Sequence, residues 1–399
     1  MQSSLLPTKT MRETALEKID ALNLSAYART RNALDGRVTK LSPYLTHGIT
    51  DVPEVIQRIG ARTTIGWEDK FLFELGWREY FHHVWGRLGD DIWVNQTPPP
   101  ASQYQHEMPS DILSATTGVD IIDSQIRTLY ETGDLHNHAR MWIASYVVHV
   151  RKIDWRVGAR WLYGYLRDGD MASNTLSWQW VAGTWTGKPY LFNAENVAKY
   201  APASNNVGSI IDVSYEVMDN IARSDKPTLS APQGTRGLVA TVPPALLDSE
   251  VAMQIATTMG FTIINALPIN QAVWLCHPWS IQHVADDGNE ANGAVHVGFI
   301  VTEFHAKYPW SKARWHFVLG ALREITDIIF VTAAHTKTSA SSHINVTQTH
   351  NSFYTSLIQQ FANHGARVIA APRAFINPEK YQRSFSSFWH KANKEKFPI

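Results

Sequence analysis

The chain has almost no cysteine: one residue, Cys276, in 399. A single thiol excludes an intramolecular disulfide and a cysteine-built zinc cluster, and it favours a reducing compartment. Nor is there a charge excess, with 36 lysines and arginines against 36 aspartates and glutamates. That excludes a uniformly basic nucleic-acid binder but leaves room for a local basic rim around a specific site. No apolar run reaches membrane-spanning length, and MQSSLLPTKTMRETALEKID lacks the apolar core of a secretory leader. The expectation is a soluble, cytoplasmic, monomeric protein with no membrane partner. No GxGxxG follows a strand-like run, and no short-period repeat or low-complexity tract is visible. A nucleophile–His–acid arrangement and a metal-ligand cluster are also missing. At 44% hydrophobic and 18% charged residues, the chain still supports two or three cored domains.

What is abundant is tryptophan. Of 15, ten lie in the first half: Trp67, Trp77, Trp85, Trp93, Trp142, Trp155, Trp161, Trp178, Trp180 and Trp185. Core packing alone rarely needs so many bulky rings. Up to about residue 200 the apolar spacing is helical, with segments near 10–23, 43–60, 67–87, 119–132, 136–150, 155–167 and 171–183. Proline, glycine and serine then concentrate, as in SDKPTLSAPQGTRGLVATVPP. From about 246, AVWLCH, AVHVGFIVT, DIIFVTAA and ARVIAAP read as buried strands separated by helices. One of these helices places Trp315, Val318, Leu319 and Leu322 on one face. The predicted organisation is a helical domain over 1–205, a linker over 206–245 and a Rossmann-like α/β domain over 246–399.

Four helical segments break the core rule in the same way. Asp170, Asn174 and Trp178 fall at i, i+4 and i+8, with Asp168 just upstream at the helix entry, where it can accept hydrogen bonds from the first turn. In LHNHARMWIASYVV, Asn137, Met141 and Ser145 share a face, and Arg140 needs an acid that Asp168 or Asp170 can supply. In FLFELGWREYFHHVW, Glu74, Trp77, Arg78 and Phe81 occupy the positions of an amphipathic core stripe. In GRVTKLSPYLTHG, Ser42 and Pro43 read as N-cap and first helical residue, and Thr39, Lys40 and Ser42 suit an anion. Each pattern alone also fits a capped helix, a surface ion pair or a structural buried pair. Together they mark a site.

The segments VTKLSPYLTHG, FELGWREYF, TGVDIIDSQIRTLYETGDLHNHARM, IDWRVGARW and RDGDMASNTLSWQWVAGT, from about Tyr27 to Pro202, resemble the flavin-binding domain of the photolyase/cryptochrome family. The resemblance implies an all-helical fold holding FAD. It matches Thr39, Lys40, Leu41 and Ser42 to the phosphate-binding segment, with Tyr27 as a further phosphate contact. Arg78, Asn137, Arg140, Asp168 and Asp170 match residues that hold the cofactor, and Asn174 matches the residue facing flavin N5. Photolyases typically carry Asn there, which favours repair over pure signalling.

The same resemblance matches Glu74, Trp77, Asn137, Met141 and Trp180 to the pocket for a cyclobutane pyrimidine dimer flipped out of UV-damaged DNA. Trp178 and Trp155 match the first two members of an electron relay. The third position has no Trp, leaving Tyr104, Trp142 or Trp93 as exits. The implied activity is light-driven dimer repair by reduced FAD; the rival is a cryptochrome-like photoreceptor, and the blandest alternative a flavoprotein without a light role. His138 stands where many photolyases have a phosphate-binding Arg, which implies weaker DNA binding. Photolyases usually carry an α/β antenna domain before the flavin domain. Here AVWLCHPWS and AVHVGFIVTEFHAKYPWSKARWHFVLGALREITDIIFVT resemble the opening of such a domain, which implies a swapped order; any second chromophore is left open.

Overall fold

The computed structural model describes residues 9–229, 240–268, 271–281, 293–334 and 343–392. Helices in the first part are α1 (Met11–Asp20), α2 (Leu24–Thr30), α3 (Ser42–Thr46), α4 (Val52–Gly60), α5 (Lys70–Leu88), α6 (Ser110–Leu113), α7 (Asp120–Thr132), α8 (Asn137–Ser145), α9 (Trp155–Tyr165), α10 (Met171–Ala182), α11 (Ala194–Tyr200) and α12 (Tyr215–Arg223). They are followed by α13 (Ser249–Thr258), α14 (Thr302–Lys307), α15 (Lys312–Arg323), α16 (Ser352–Asn363) and α17 (Phe385–Ala392). The strands are β1 (Leu246–Leu247), β2 (Thr262–Ile264), β3 (Val273–Cys276), β4 (Val295–Val301), β5 (Trp310–Ser311), β6 (Ile328–Thr332), β7 (Ile344–Thr347) and β8 (Arg367–Ile369). The fold class is therefore the expected one, helical and then α/β.

The chain forms two compact units, and neither is contiguous. The first comprises Met1–Leu24, Thr39–Gly89 and Leu246–Ile399; the second comprises Ser25–Val38 and Asp90–Ala245. This differs from the expected division at 205 and 246, because hydrophobic periodicity shows that a face is buried but not what covers it.

In the first unit, β2-β6-β4-β3-β7-β8 form a six-stranded parallel sheet. All four residues of β3 are buried, which explains its unbroken apolar run. Trp315, Val318, Leu319 and Leu322 of α15 are fully buried, as their spacing predicts. At the carboxyl end of β3, His277 Nε2 lies 3.0 Å from the Thr347 carbonyl oxygen of the β7 end. Trp279 packs edge-on against Tyr354 and Phe304 at 5.0 and 5.2 Å.

The second unit is built on α7 to α10. The described residues of the stretch expected to be a linker, 206–229 and 240–245, belong to it. Buried Lys152 closes the end of α12 by donating to the Ile221 and Ala222 carbonyls at 2.6 and 2.8 Å. Thr241 and Pro244 also bond back to Ser114 and Tyr165. Composition alone missed this, since polar, proline-rich backbone can still be tied down by its own amides and carbonyls.

Candidate functional site

In the second unit the site grows from α10. Asp170 caps it, accepting the Ser173 backbone N–H at 2.8 Å, and Gly183 ends it in the left-handed conformation at φ 77°. One turn in, the Asn174 amide donates to the Ala159 carbonyl of α9 at 2.9 Å. One turn further, Trp178 is buried against α9. Gly158 makes that approach possible: a Cβ there would come within 2.3 Å of the Trp178 ring. Gly158→Ala is expected to destabilise the unit by about 1–3 kcal/mol through overpacking, read as a lower denaturation midpoint with altered Trp178 emission.

Trp180 sits two residues on and so points the other way. It is 38% exposed and stacks on Tyr190 at 5.5 Å. Thus α10 carries one buried and one exposed indole.

Asp168 is the acid that Arg140 needs. Arg140 Nη2 donates to both carboxylate oxygens, at 2.8 and 2.9 Å, and the same guanidinium donates to the Leu135 carbonyl. On α8, Asn137 is exposed and its amide lies 3.5 Å from the Met141 sulfur. Of the expected face, Asn137 is exposed and Met141 partly so, whereas Ser145 is buried and donates to the Tyr190 carbonyl at 2.8 Å. His138 stacks on Tyr200 at 4.6 Å. Burial, reinforced by the charges of His136 and Arg31, pushes its pKa down to about 4. It is a neutral ring at physiological pH and no substitute for a phosphate-binding guanidinium.

Among the three expected electron exits, Trp142 is fully buried and bonded to Asn196 at 3.0 Å. Tyr104 is partly buried; its hydroxyl accepts the Ala101 N–H at 3.3 Å, and burial raises its pKa. Trp93 is the one stacked on Trp155, at 5.8 Å and 5° between planes. Arg156 lies over the Trp155 ring and Arg160 over Trp93, at 4.7 and 5.3 Å. Trp155 opens α9 one turn before Gly158, the residue that abuts Trp178. Tyr27, the remaining expected contact in this unit, is partly buried on α2.

In the first unit, Thr39, Lys40, Leu41 and Ser42 precede or open α3. Ser42 is not the N-cap: that position is Leu41, which is buried, and no side chain caps the helix. Lys40 at φ 53° turns the chain, and Thr39 Oγ1 accepts the Leu41 N–H at 3.3 Å. A local turn has replaced the cap inferred from Ser-Pro.

On α5 the core stripe is offset by one residue from expectation. Leu72, Leu75, Gly76, Glu79, Tyr80 and His83 are buried, whereas Glu74, Trp77, Arg78 and Phe81 are only partly so. Arg78 reaches Thr46 Oγ1 at 3.4 Å. Trp77 stacks on Phe385 at 4.1 Å and 9°. Sequence reasoning missed this contact and the buried Glu79 beside it, because their partners lie about 300 residues away and carry no local signal.

Residues 71–212 match the sequence profile described as "FAD binding domain of DNA photolyase". This segment is similar to a photolyase-type FAD-binding domain. A deoxyribodipyrimidine photo-lyase of Streptomyces griseus is 35% identical over 153 residues, covering 37% of this chain and 32% of that protein. A cryptochrome DASH of Vibrio parahaemolyticus is 35% identical over 175 residues, covering 40% and 38%. A crystal structure of a Synechocystis cryptochrome superposes with a TM-score of 0.43 at 26% identity, over 50% of this chain and 45% of that one. The chain spans about a third of the length of these two curated relatives. The residues of the photolyase-type domain suit a flavin chemically. An isoalloxazine edge offers both N–H donors and carbonyl acceptors, and the ends of α8 and α10 hold a guanidinium, an amide and two carboxylates. Among the described residues no helix is long and apolar enough to cross a membrane, and no group of three or more His, Cys, Asp or Glu could hold a metal ion.

Proposed function

We propose that this chain repairs cyclobutane pyrimidine dimers in DNA under blue light. The observation that carries the reading is the pair of indoles on α10. Trp178 is buried and abuts α9, while Trp180 is open and able to stack on a base. Reduced FAD, bound by these residues, would supply light-driven donation of one electron to the dimer and its return after ring opening, a redox-neutral chemistry overall. In the second unit Arg140, Asp168, Asp170 and Asn174 are assigned to an isoalloxazine and ribose and Tyr27 to a phosphate; in the first unit Thr39, Lys40 and Ser42 suit a phosphate, and Arg78 is a further cofactor candidate. In the second unit Trp180 is assigned to stack on a flipped base, with Asn137 and Met141 at its edges; in the first unit Trp77 is assigned to stacking and Glu74 to a base edge. Trp178, Trp155 and Trp93 carry an electron inward when the cofactor needs reduction. Asn174, an amide rather than an acid, supports repair over signalling.

The test is return of thymine absorbance from a dimer-containing oligonucleotide under blue light, against a dark control. Trp180→Ala is expected to weaken dimer binding by about 1–3 kcal/mol, roughly 5- to 150-fold. Trp178→Phe and Trp93→Phe should slow photoreduction yet leave repair intact once the cofactor is reduced chemically. Efficient photoreduction without repair of single- or double-stranded substrate would make the protein a photoreceptor.

A further inference from the structure

We infer that Phe385 is a positioning residue for Trp77: it backs one face of the indole so that the other is presented to a base. This rests on the stacking role given to Trp77 above. The rings lie parallel at 4.1 Å and 9°, the separation at which one face is covered. Phe385 is 5% exposed, while Trp77 keeps part of its surface open. The open part therefore lies away from Phe385, bordered by Tyr80 and Phe81, whose rings approach Trp77 at 5.7 and 5.4 Å.

The alternative is a plug that leaves when substrate arrives, and the surroundings of Phe385 argue against it. Four residues on three successive turns of α5 hold the segment leading into α17. The Glu79 carboxylate accepts the Ala374 and Phe375 N–H groups at 2.7 and 3.3 Å. The Tyr80 hydroxyl donates to the Arg383 carbonyl at 2.7 Å. His83 Nε2 accepts the Gln382 N–H at 3.0 Å, which leaves Nδ1–H to donate to Asn377 Oδ1 at 2.6 Å. Arg87 donates to the Pro378 carbonyl at 2.9 Å. Beyond Phe385, Trp389 fills the space that Gly76 leaves: a Cβ there would fall 2.2 Å from its ring. A segment fastened at four points and keyed into a glycine notch is a wall.

An indole held by a wall need not be immobilised when a base arrives. That ordering step otherwise costs affinity at each interfacial side chain. Phe385→Leu keeps apolar volume and removes the parallel ring. Its dissociation constant for a thymine-dimer oligonucleotide is expected to rise about 2- to 10-fold, with turnover at saturating substrate unchanged. Phe385→Tyr should restore the native value. In a Trp77→Ala background, Phe385→Leu should have no further effect on affinity, which a merely structural role would not predict. An unchanged dissociation constant in Phe385→Leu, tighter binding, or an equal loss in both backgrounds overturns the inference alone. No binding of dimer by the unaltered protein overturns the functional reading and the inference with it.

Discussion

Glu79→Ala is expected to lower the stability of the region around α5 and α17 by about 3–5 kcal/mol. The carboxylate is 5% exposed, and three groups depend on it. Two are backbone N–H groups of Ala374 and Phe375. The third is the Arg373 guanidinium, whose Nε lies 3.4 Å away and which also donates to the Glu79 carbonyl at 3.0 Å. Burial pushes the Glu79 carboxyl up and the Arg373 guanidinium down, so each charge is tolerated because the other is there. Alanine removes one charge and strands the other, which is why the loss exceeds that of an ordinary hydrogen bond. Glu79→Gln keeps one acceptor oxygen but loses the other and the charge, and should cost about 1–3 kcal/mol. The readout is hydrogen exchange of the α5 and α17 amides, which reports the local opening free energy and needs no two-state transition for the whole chain. Protection unchanged by the alanine would mean that the clamp contributes nothing.

Acidification from pH 6.5 towards 4 is expected to destabilise the protein through its buried histidines. His277 and His149 are almost fully enclosed, and burial brings both down to about 4. In the unfolded chain a histidine titrates near 6.5. Between those values the unfolded form binds a proton that the folded form refuses. Stability is thus complete above 6.5, falls through the window and levels off below about 4. A displacement from 6.5 to about 4 corresponds to about 3 kcal/mol for each ring. Glu79 and Asp123, raised by burial, act in the opposite sense, so the cleanest measurement is a difference. Denaturation midpoints of the native protein and His277→Gln, taken at pH 7.5 and 5, should converge at the lower pH. Equal spacing at both would mean that His277 titrates normally in the fold.

Much of the local structure was readable from residue spacing. The extent of α10, the Arg140–Asp168 pair and the buried face of α15 follow from period and charge, but the residue that caps α10 is Asp170 and not Asp168. Three things were not. The α5 stripe was displaced by one residue because Glu79 and His83 are polar yet buried, whereas Trp77 and Phe81 are aromatic yet half-open. β2 and β7, at three and four residues, are too short to show a period. The grouping of Thr39–Gly89 with the α/β region depends on partners such as Arg373 and Phe385, and no window of local sequence contains both sides of those contacts.

That grouping has a consequence for biosynthesis. The backbone passes from one unit to the other at 24/25, 38/39, 89/90 and 245/246. Once Gly89 has left the ribosome, α5 still lacks the strap and α17 that cover it, and these come about 300 residues later. At roughly 5–20 residues per second, its apolar face waits on the order of 15–60 s for its cover. The second unit is interrupted only once and is complete by residue 245, so it can fold first on the emerging chain. The nascent protein therefore exposes Trp77, Phe73 and Gly76 during most of its own translation, which makes α5 a natural stretch for a chaperone to hold. Ribosomes stalled before Phe385 should leave that helix open to proteases, and ribosomes stalled on a C-terminally extended chain, with Ala392 clear of the exit tunnel, should not.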